Sequence, residues 1–169
     1  MRSLRRAILL TLAFTICVPG TVVGFVPWFL TGWRQQDAFG GWQGGRWLGA
    51  AVALLGLPLL GNAIVRFAVQ GLGTPAPMAP TERLVVTGPY RHVRNPMYVG
   101  VVAIVAGQAL WFASYAVLIY SACLAVGFHS FVRLYEEPAL RRRYGMEYQS
   151  YCRHVRRWWP RLVPYDPAA

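Results

Sequence analysis

The chain has 169 residues, of which 56% are hydrophobic, and its net charge is +11 because all seventeen basic residues are arginine and only six are acidic. This length suits one domain, and the hydrophobic fraction is too high for an ordinary soluble fold, so we predict a single membrane-embedded domain over residues 1–169. The arginines flank apolar segments, where anionic lipid headgroups favour them, so we expect the lipid bilayer as a partner and no nucleic acid.

Four segments approach the roughly 20 apolar residues that a membrane-crossing helix needs. They cover residues 7–30, 47–70, 97–112 and 115–132. We therefore predict an all-α fold, a polytopic membrane bundle of about four transmembrane helices. A cytoplasmic C-terminal amphipathic helix, roughly residues 146–158, should follow and lie on the membrane surface.

The arginines also predict the orientation of the bundle. They occur before the first span, between the second and third, and above all after the fourth, whereas the first loop holds only Arg34 and Arg46. Because positive residues favour the inner face, both termini should be cytoplasmic. We expect an integral protein of a bacterial inner (plasma) membrane.

Proline and glycine mark the first two spans. Pro19 and Gly20 should interrupt the first span, with neighbouring helices satisfying the freed carbonyls. In the second span, Gly49, Gly56 and Gly61 favour close approach of another helix.

Residues 71–96 connect the second and third spans and hold five prolines and three glycines, so they cannot form one continuous helix. The segment also contains the apolar run Leu84-Val85-Val86 and several aromatic side chains, which are costly to leave in water. We expect it to fold back against the bundle, since irregular backbone near a membrane is tolerated where it lines a cavity.

The fourth span should continue beyond the bilayer as one helix that ends near Gly145. At 100° per residue, His129, Arg133 and Glu136 share one face of it, with Glu137 a quarter turn away. One interpretation is an ion-paired helix end in which Glu137 meets arginines four residues away on either side; the other is a site for a polar ligand.

Motifs exclude several kinds of site. The three histidines lack partners at metal-ligand spacing, so no metal site is predicted. The GxSxG and GxxxxGK[ST] motifs are absent, and the glycines near residue 71 lack the dinucleotide fingerprint. A cofactor would have to be held by membrane helices and the loop between the second and third spans.

Two blocks resemble a known superfamily. The sequence GPYRHVRNPMYVG (88–100), followed by EEPALRRRYGMEYQSYCRHVRRWWP (136–160), is similar to the isoprenylcysteine carboxyl methyltransferase and phospholipid methyltransferase superfamily of integral membrane enzymes. The similarity runs through residues 82–160, which would form the cofactor-binding core. Residues 1–70 would supply N-terminal helices whose role the resemblance does not define.

The resemblance implies S-adenosyl-L-methionine as cofactor and methyl transfer to a lipophilic or membrane-associated acceptor, such as an isoprenylcysteine-type carboxylate, a thiol or a lipid amine. The cofactor-binding residues that it implies are Glu82, Arg83, Leu84, Val85, Tyr90, Arg94, Asn95, Pro96, Met97, Tyr98 and Glu136. Glu82 and Asn95 depart from the pattern, because eukaryotic relatives have histidine there, and Arg133 is one position out of register with their arginine.

Three residues are candidates for catalysis. Arg133 would fix an anionic group of the acceptor, while His129 or Glu137 would act as base for an acceptor that must lose a proton. Two other functions remain open on the sequence: an NADPH-dependent membrane reductase of the sterol-reductase type, and a non-catalytic membrane scaffold.

Overall fold

The structure is a computed structural model that describes residues 17–70 and 84–166, with only the backbone of residues 67–70. Within these ranges it is helical and has no β-strand. The main elements are α1 (Thr21–Thr31), α2 (Gly44–Gln70), α3 (Pro96–Phe112), α4 (Tyr115–Phe131) and α5 (Glu137–His154). Short 3-10 turns cover Phe39–Gly41 and Gly88–Arg91, and a π-helical turn, Val132–Glu136, joins α4 to α5. The all-α prediction is confirmed.

Two of the described helices are long and apolar enough to cross a membrane, Gly44–Arg66 and the continuous run Tyr115–His154. The helices Thr21–Thr31 and Pro96–Phe112 are also apolar but shorter. At 1.5 Å per residue, α3 is about 25 Å long, slightly less than a hydrocarbon core of about 30 Å. The predicted first span begins outside the described residues. The number of four crossings therefore stays a prediction.

Helices α2 and α3 pack backbone against backbone. A Cβ atom added to Gly49 would lie 2.5 Å from the Gly107 carbonyl oxygen, and one added to Gly56 would lie 2.9 Å from the Gly100 carbonyl oxygen. Small residues permit this approach, as predicted for Gly49 and Gly56. The prediction was wrong for Gly61, because no atom of the described residues lies within 4 Å of such a Cβ.

Helix α1 begins in π-helical form over Thr21–Phe25, directly after the Pro-Gly pair expected to interrupt it. The wider turn leaves backbone carbonyls for other partners. Gln108 donates from Nε2 to the Val23 carbonyl at 2.8 Å, and the Tyr120 hydroxyl donates to the Val22 carbonyl at 3.2 Å. Side chains of α3 and α4 thus satisfy the interrupted helix.

Two irregular segments pack together at the other end of the bundle. We call residues 84–95, which lead into α3, the elbow, and residues 155–166, which follow α5, the tail. The Arg94 amide donates to the Arg156 carbonyl, and the Arg161 amide donates to the His92 carbonyl, both at 2.9 Å. These bonds hold the tail along the elbow, and Val85 and Tyr90 of the elbow pack with Ala63 of α2. Residues 84–95 therefore fold back against the bundle as predicted, while residues 71–83 lie outside the described residues.

The C-terminal helix α5 bends at Gly145, whose backbone angles of φ 52° and ψ −122° are open only to glycine at low cost. Beyond the bend, Tyr148, Tyr151 and Val155 are buried and pack with Leu84 of the elbow. We expected this apolar face on the membrane surface. It is instead covered by protein, because the elbow supplies a matching apolar surface.

Candidate active site

The two sequence blocks meet where α3 begins and α5 begins. The Tyr98 hydroxyl donates a hydrogen bond to Oε2 of Glu136 at 3.0 Å. Asn95, the residue before α3, donates from Nδ2 to the Arg157 carbonyl of the tail at 3.2 Å. Proline at the first helical position, Pro96, fixes where α3 starts and so sets the height of Tyr98 opposite Glu136.

A cavity of about 80 Å³ lies between the elbow and α5. The elbow lines it with Leu84, Val85, Tyr90, Arg94 and Asn95. The opposite wall consists of Glu136, Leu140, Tyr144, Tyr148 and Tyr151. We call this space the polar cavity, since it combines a carboxylate, a guanidinium, an amide and four tyrosines.

Six of the eleven predicted cofactor-binding residues line the polar cavity, and Tyr98 reaches its carboxylate. Pro96 is buried in the first turn of α3, and Met97 packs instead against the α2–α3 core, among residues such as Leu60 and Ala63. Glu82 and Arg83 lie outside the described residues. The geometry brings these groups together, while their role in binding stays a prediction.

Tyr90 illustrates how the elbow is fixed. Its ring is buried with Val85 and Ala63, and its carbonyl accepts a hydrogen bond from the Tyr151 hydroxyl. Burial, and secondarily the nearby Glu136 carboxylate, raises the pKa of the Tyr90 phenol well above its usual value. This side chain is therefore a neutral wall of the cavity at any physiological pH.

The neighbouring carboxylate, Glu137, is tied into a cluster of arginines. It accepts two hydrogen bonds from Arg157, at 2.6 and 2.8 Å, and lies 3.2 Å from Arg94 and 4.0 Å from Arg141. The side chain of Glu137 is 6% exposed, and its hydrogen bond raises the pKa of Arg157. Sequence spacing predicted the Arg141 contact, but the expected contact with Arg133 does not form.

The shared face predicted for His129, Arg133 and Glu136 is not retained. The π turn over Val132–Glu136 adds a residue to one turn and rotates the rest of the helix relative to an α-helical wheel. Arg133 is exposed and borders neither the polar cavity nor the larger apolar cavity between α3 and α4, whereas Glu136 faces the interior. The grouping of Arg133 with Glu136 was therefore wrong.

This second cavity, of about 510 Å³, lies between α3, α4 and the tail. Its lining residues are Tyr98, Val99, Val102, Ala103, Ala125, Phe128, His129, Trp158 and Trp159. We call it the apolar cavity. The Tyr98 ring packs on Phe128, with centroids 4.7 Å apart, while its hydroxyl contacts Glu136 in the polar cavity. The two cavities therefore adjoin at one side chain.

Sequence reasoning missed part of the site. Leu140, Tyr144 and Tyr148 follow Glu136 at intervals of four residues, which is the spacing of one helix face and was a usable signal. Arg157 had no such signal, since it lies in the irregular tail. Among the described residues, no group of three metal-ligating side chains comes together.

A comparison of the chain with models of known protein families gives a match. The family model described as phospholipid methyltransferase matches residues 45–147, more than half of the chain, and this range takes in α2 as well as the elbow, α3, α4 and the first part of α5. No curated protein and no solved structure matches the chain. Together with the two helices that are long and apolar enough to cross a membrane, this family match indicates an integral membrane protein. The chain belongs to the phospholipid methyltransferase family.

Proposed function

We propose that the protein transfers a methyl group from S-adenosylmethionine to a lipophilic acceptor at the edge of the bilayer. The observation that carries this proposal is the Tyr98–Glu136 hydrogen bond, which joins a polar cavity to an apolar one. A methyltransferase of this kind has to hold a charged donor and a lipophilic acceptor side by side, and the two adjoining cavities supply those environments.

The polar cavity has groups that fit the amino-acid end of the cofactor. Nε of Arg94 is buried and has no hydrogen-bond partner among the described residues, so it is available to a carboxylate. Glu136 uses one oxygen for Tyr98, and its other oxygen has no partner in the described part of the chain. A free N–H and a free carboxylate oxygen match a zwitterion.

The size of the polar cavity limits what it encloses. About 80 Å³ is much smaller than the 300–1,000 Å³ of pockets that surround a whole drug-sized ligand. We therefore place the charged end of the cofactor inside the cavity and the nucleoside outside it. When bound, the cofactor supplies a methyl group on a cationic sulfur, and the tyrosines of the wall offer aromatic faces to a cation.

The protein's own residues divide into binding and positioning groups. Glu136 and Arg94 would bind the cofactor, and Tyr98 would orient the Glu136 carboxylate. Glu137 would act as a positioning residue rather than a base, because its two oxygens are already engaged by arginines. Its cluster fixes the elbow against α5 and keeps the cavity walls at a constant separation.

We also propose that this end of the bundle faces the cytoplasm. The elbow and the region beyond α4 hold most of the described arginines, whereas the opposite loop holds only Arg34 and Arg46. The positive-inside rule assigns the arginine-rich end to the cytoplasm, where a soluble cofactor has direct access to the polar cavity.

Calorimetry on the protein in lipid nanodiscs tests the proposal. S-adenosylmethionine and S-adenosylhomocysteine should both bind. The Glu136→Gln variant should bind S-adenosylmethionine at least about tenfold more weakly, which is the effect expected from loss of a hydrogen bond to a charged group. Glu147→Gln is the matched control, because Glu147 is an exposed carboxylate of the same helix. Binding of NADPH in place of both ligands would support a reductase, and binding of none would support a scaffold.

A further inference from the structure

The apolar cavity has a chemical character that limits its ligand. Its walls are aliphatic or aromatic side chains of α3 and α4, and none of the described lining residues carries a formal charge when His129 is neutral. A phosphate buried there would find no counter-ion, and burying an unpaired anion is far more costly than one hydrogen bond can offset.

His129 is the polar group of α4 in this cavity, and its hydrogen bond defines its protonation. The indole Nε1 of Trp158 donates to Nδ1 of His129 at 3.1 Å. An indole N–H can only donate, so Nδ1 must be unprotonated for this bond to form. A neutral imidazole then carries its proton on Nε2.

The second nitrogen of His129 is therefore a hydrogen-bond donor. Nε2 has no hydrogen-bond partner among the described residues, while the ring lines the cavity and lies beside the Trp158 ring, with centroids 6.1 Å apart. Nε2 already holds its proton and cannot take another, and protonation of Nδ1 would break the Trp158 bond. This geometry favours a donor over the base expected from the sequence.

Tyr98 marks the inner limit of the same cavity. Its hydroxyl donates to Glu136 in the polar cavity, so among these two side chains the group left to a ligand of the apolar cavity is the Nε2–H of His129. The described lining is otherwise uncharged. A single polar group that accepts a hydrogen bond, such as a hydroxyl or a thiol, satisfies this donor.

We propose that the apolar cavity binds an uncharged lipophilic molecule with a single hydroxyl or thiol, which accepts a hydrogen bond from Nε2 of His129. His129 is a specificity-determining residue of this site, and Trp158 is the positioning residue that fixes its tautomer. The ligand's identity as the methyl acceptor rests on the proposed function, whereas its binding does not. Headgroups that carry a phosphate are excluded from the cavity.

The test uses 4-nonylphenol and nonyl phosphate, which share a chain and differ in the charge of the polar group. Each is titrated, without cofactor, into the full chain in phosphatidylcholine nanodiscs, and tryptophan fluorescence reports binding because Trp158 and Trp159 line the cavity. We expect saturable binding of nonylphenol and at least tenfold weaker binding of nonyl phosphate. Equal affinities would overturn the proposal.

Two substitutions of His129 distinguish a role as hydrogen-bond donor from a role as base. His129→Phe should weaken the binding of nonylphenol about three- to tenfold, which is the effect expected from loss of one hydrogen bond. His129→Gln, which keeps an N–H at the position of Nε2, should stay within threefold of the wild type. Unchanged affinity in His129→Phe, or equal loss in both variants, would contradict the donor assignment.

A spectroscopic measurement tests the tautomer in the folded wild-type chain. Protein labelled with ¹⁵N only in histidine gives signals from three residues, and the His129 signals are those lost in His129→Gln. They should show protonated Nε2 and unprotonated Nδ1, and Trp158→Phe should mix the tautomers. An Nδ1–H tautomer in the wild type would refute the proposal, as would a spectrum that Trp158→Phe leaves unchanged. Cofactor calorimetry is independent of these readouts, so the two proposals can fail separately.

Discussion

Replacing Glu137 by glutamine tests how the elbow is held against α5. Glu137 links Arg94 of the elbow to Arg157 of the tail, and its side chain is only 6% exposed. The substitution keeps the shape of the side chain but removes its charge. The two arginines are then left close together without the carboxylate between them.

The size of the stability loss depends on how exposed the arginines that pair with Glu137 are. Removing one member of a buried ion pair costs about 3–5 kcal/mol when the remaining charge is fully desolvated. Here Arg157 is 26% exposed and Arg141 is 58% exposed, so water screens them, and only Arg94, at 11%, stays largely buried. We therefore expect a loss of about 2–3 kcal/mol in the free energy of unfolding, below the fully buried limit.

The assay is equilibrium unfolding by SDS in mixed micelles, monitored by tryptophan fluorescence. Glu147→Gln, an exposed carboxylate of the same helix, should change the free energy of unfolding by less than about 0.5 kcal/mol. Arg157→Gln and the double variant complete a thermodynamic cycle, in which a coupling energy of at least about 1 kcal/mol is expected. A Glu137→Gln variant no less stable than the control, or a coupling energy near zero, would refute this reasoning.

Two further predictions use the same unfolding assay. Gly107→Ala should destabilise the bundle by about 1–3 kcal/mol, since its Cβ would lie 2.5 Å from the Gly49 carbonyl oxygen. Gly61→Ala should be neutral or stabilising, because the new Cβ would meet no atom of the described residues. Equal effects at the two positions would contradict the α2–α3 contact. Gly145→Ala should lower the free energy of unfolding by about 1–3 kcal/mol, because alanine is strained at φ 52° and ψ −122°. An unchanged unfolding midpoint would show that α5 does not bend there.

The helices could be predicted closely from local signals. The expected spans 47–70, 97–112 and 115–132 correspond to Gly44–Gln70, Pro96–Phe112 and Tyr115–Phe131. Apolar length identifies such helices, and a proline or a capping serine marks where two of them start. Ser114, for example, caps α4 by accepting a hydrogen bond from the Val117 amide. These signals lie within a few residues of each other and need no knowledge of the tertiary fold.

The site was predictable only in part, because some of its geometry depends on distant packing. The resemblance assigned Tyr98 and Glu136 to one site, and in the structure the two side chains are hydrogen-bonded. Their role in binding stays a prediction. The resemblance could not show that a π turn rotates Arg133 out of the site, since an α-helical wheel assumes a constant turn. Sequence spacing also could not reveal the ion pairs of Glu137 with Arg94 and Arg157, because these arginines lie in the elbow and the tail, far from Glu137 in sequence.

The most direct test of the central claim is a crystal structure of the protein with S-adenosylhomocysteine, grown from lipid. We predict that the amino-acid end of the ligand lies between Glu136 and Arg94, with the Tyr98–Glu136 hydrogen bond intact. Ligand density away from the elbow and α5, or an elbow that separates from α5 so that Tyr98 no longer reaches Glu136, would contradict the account.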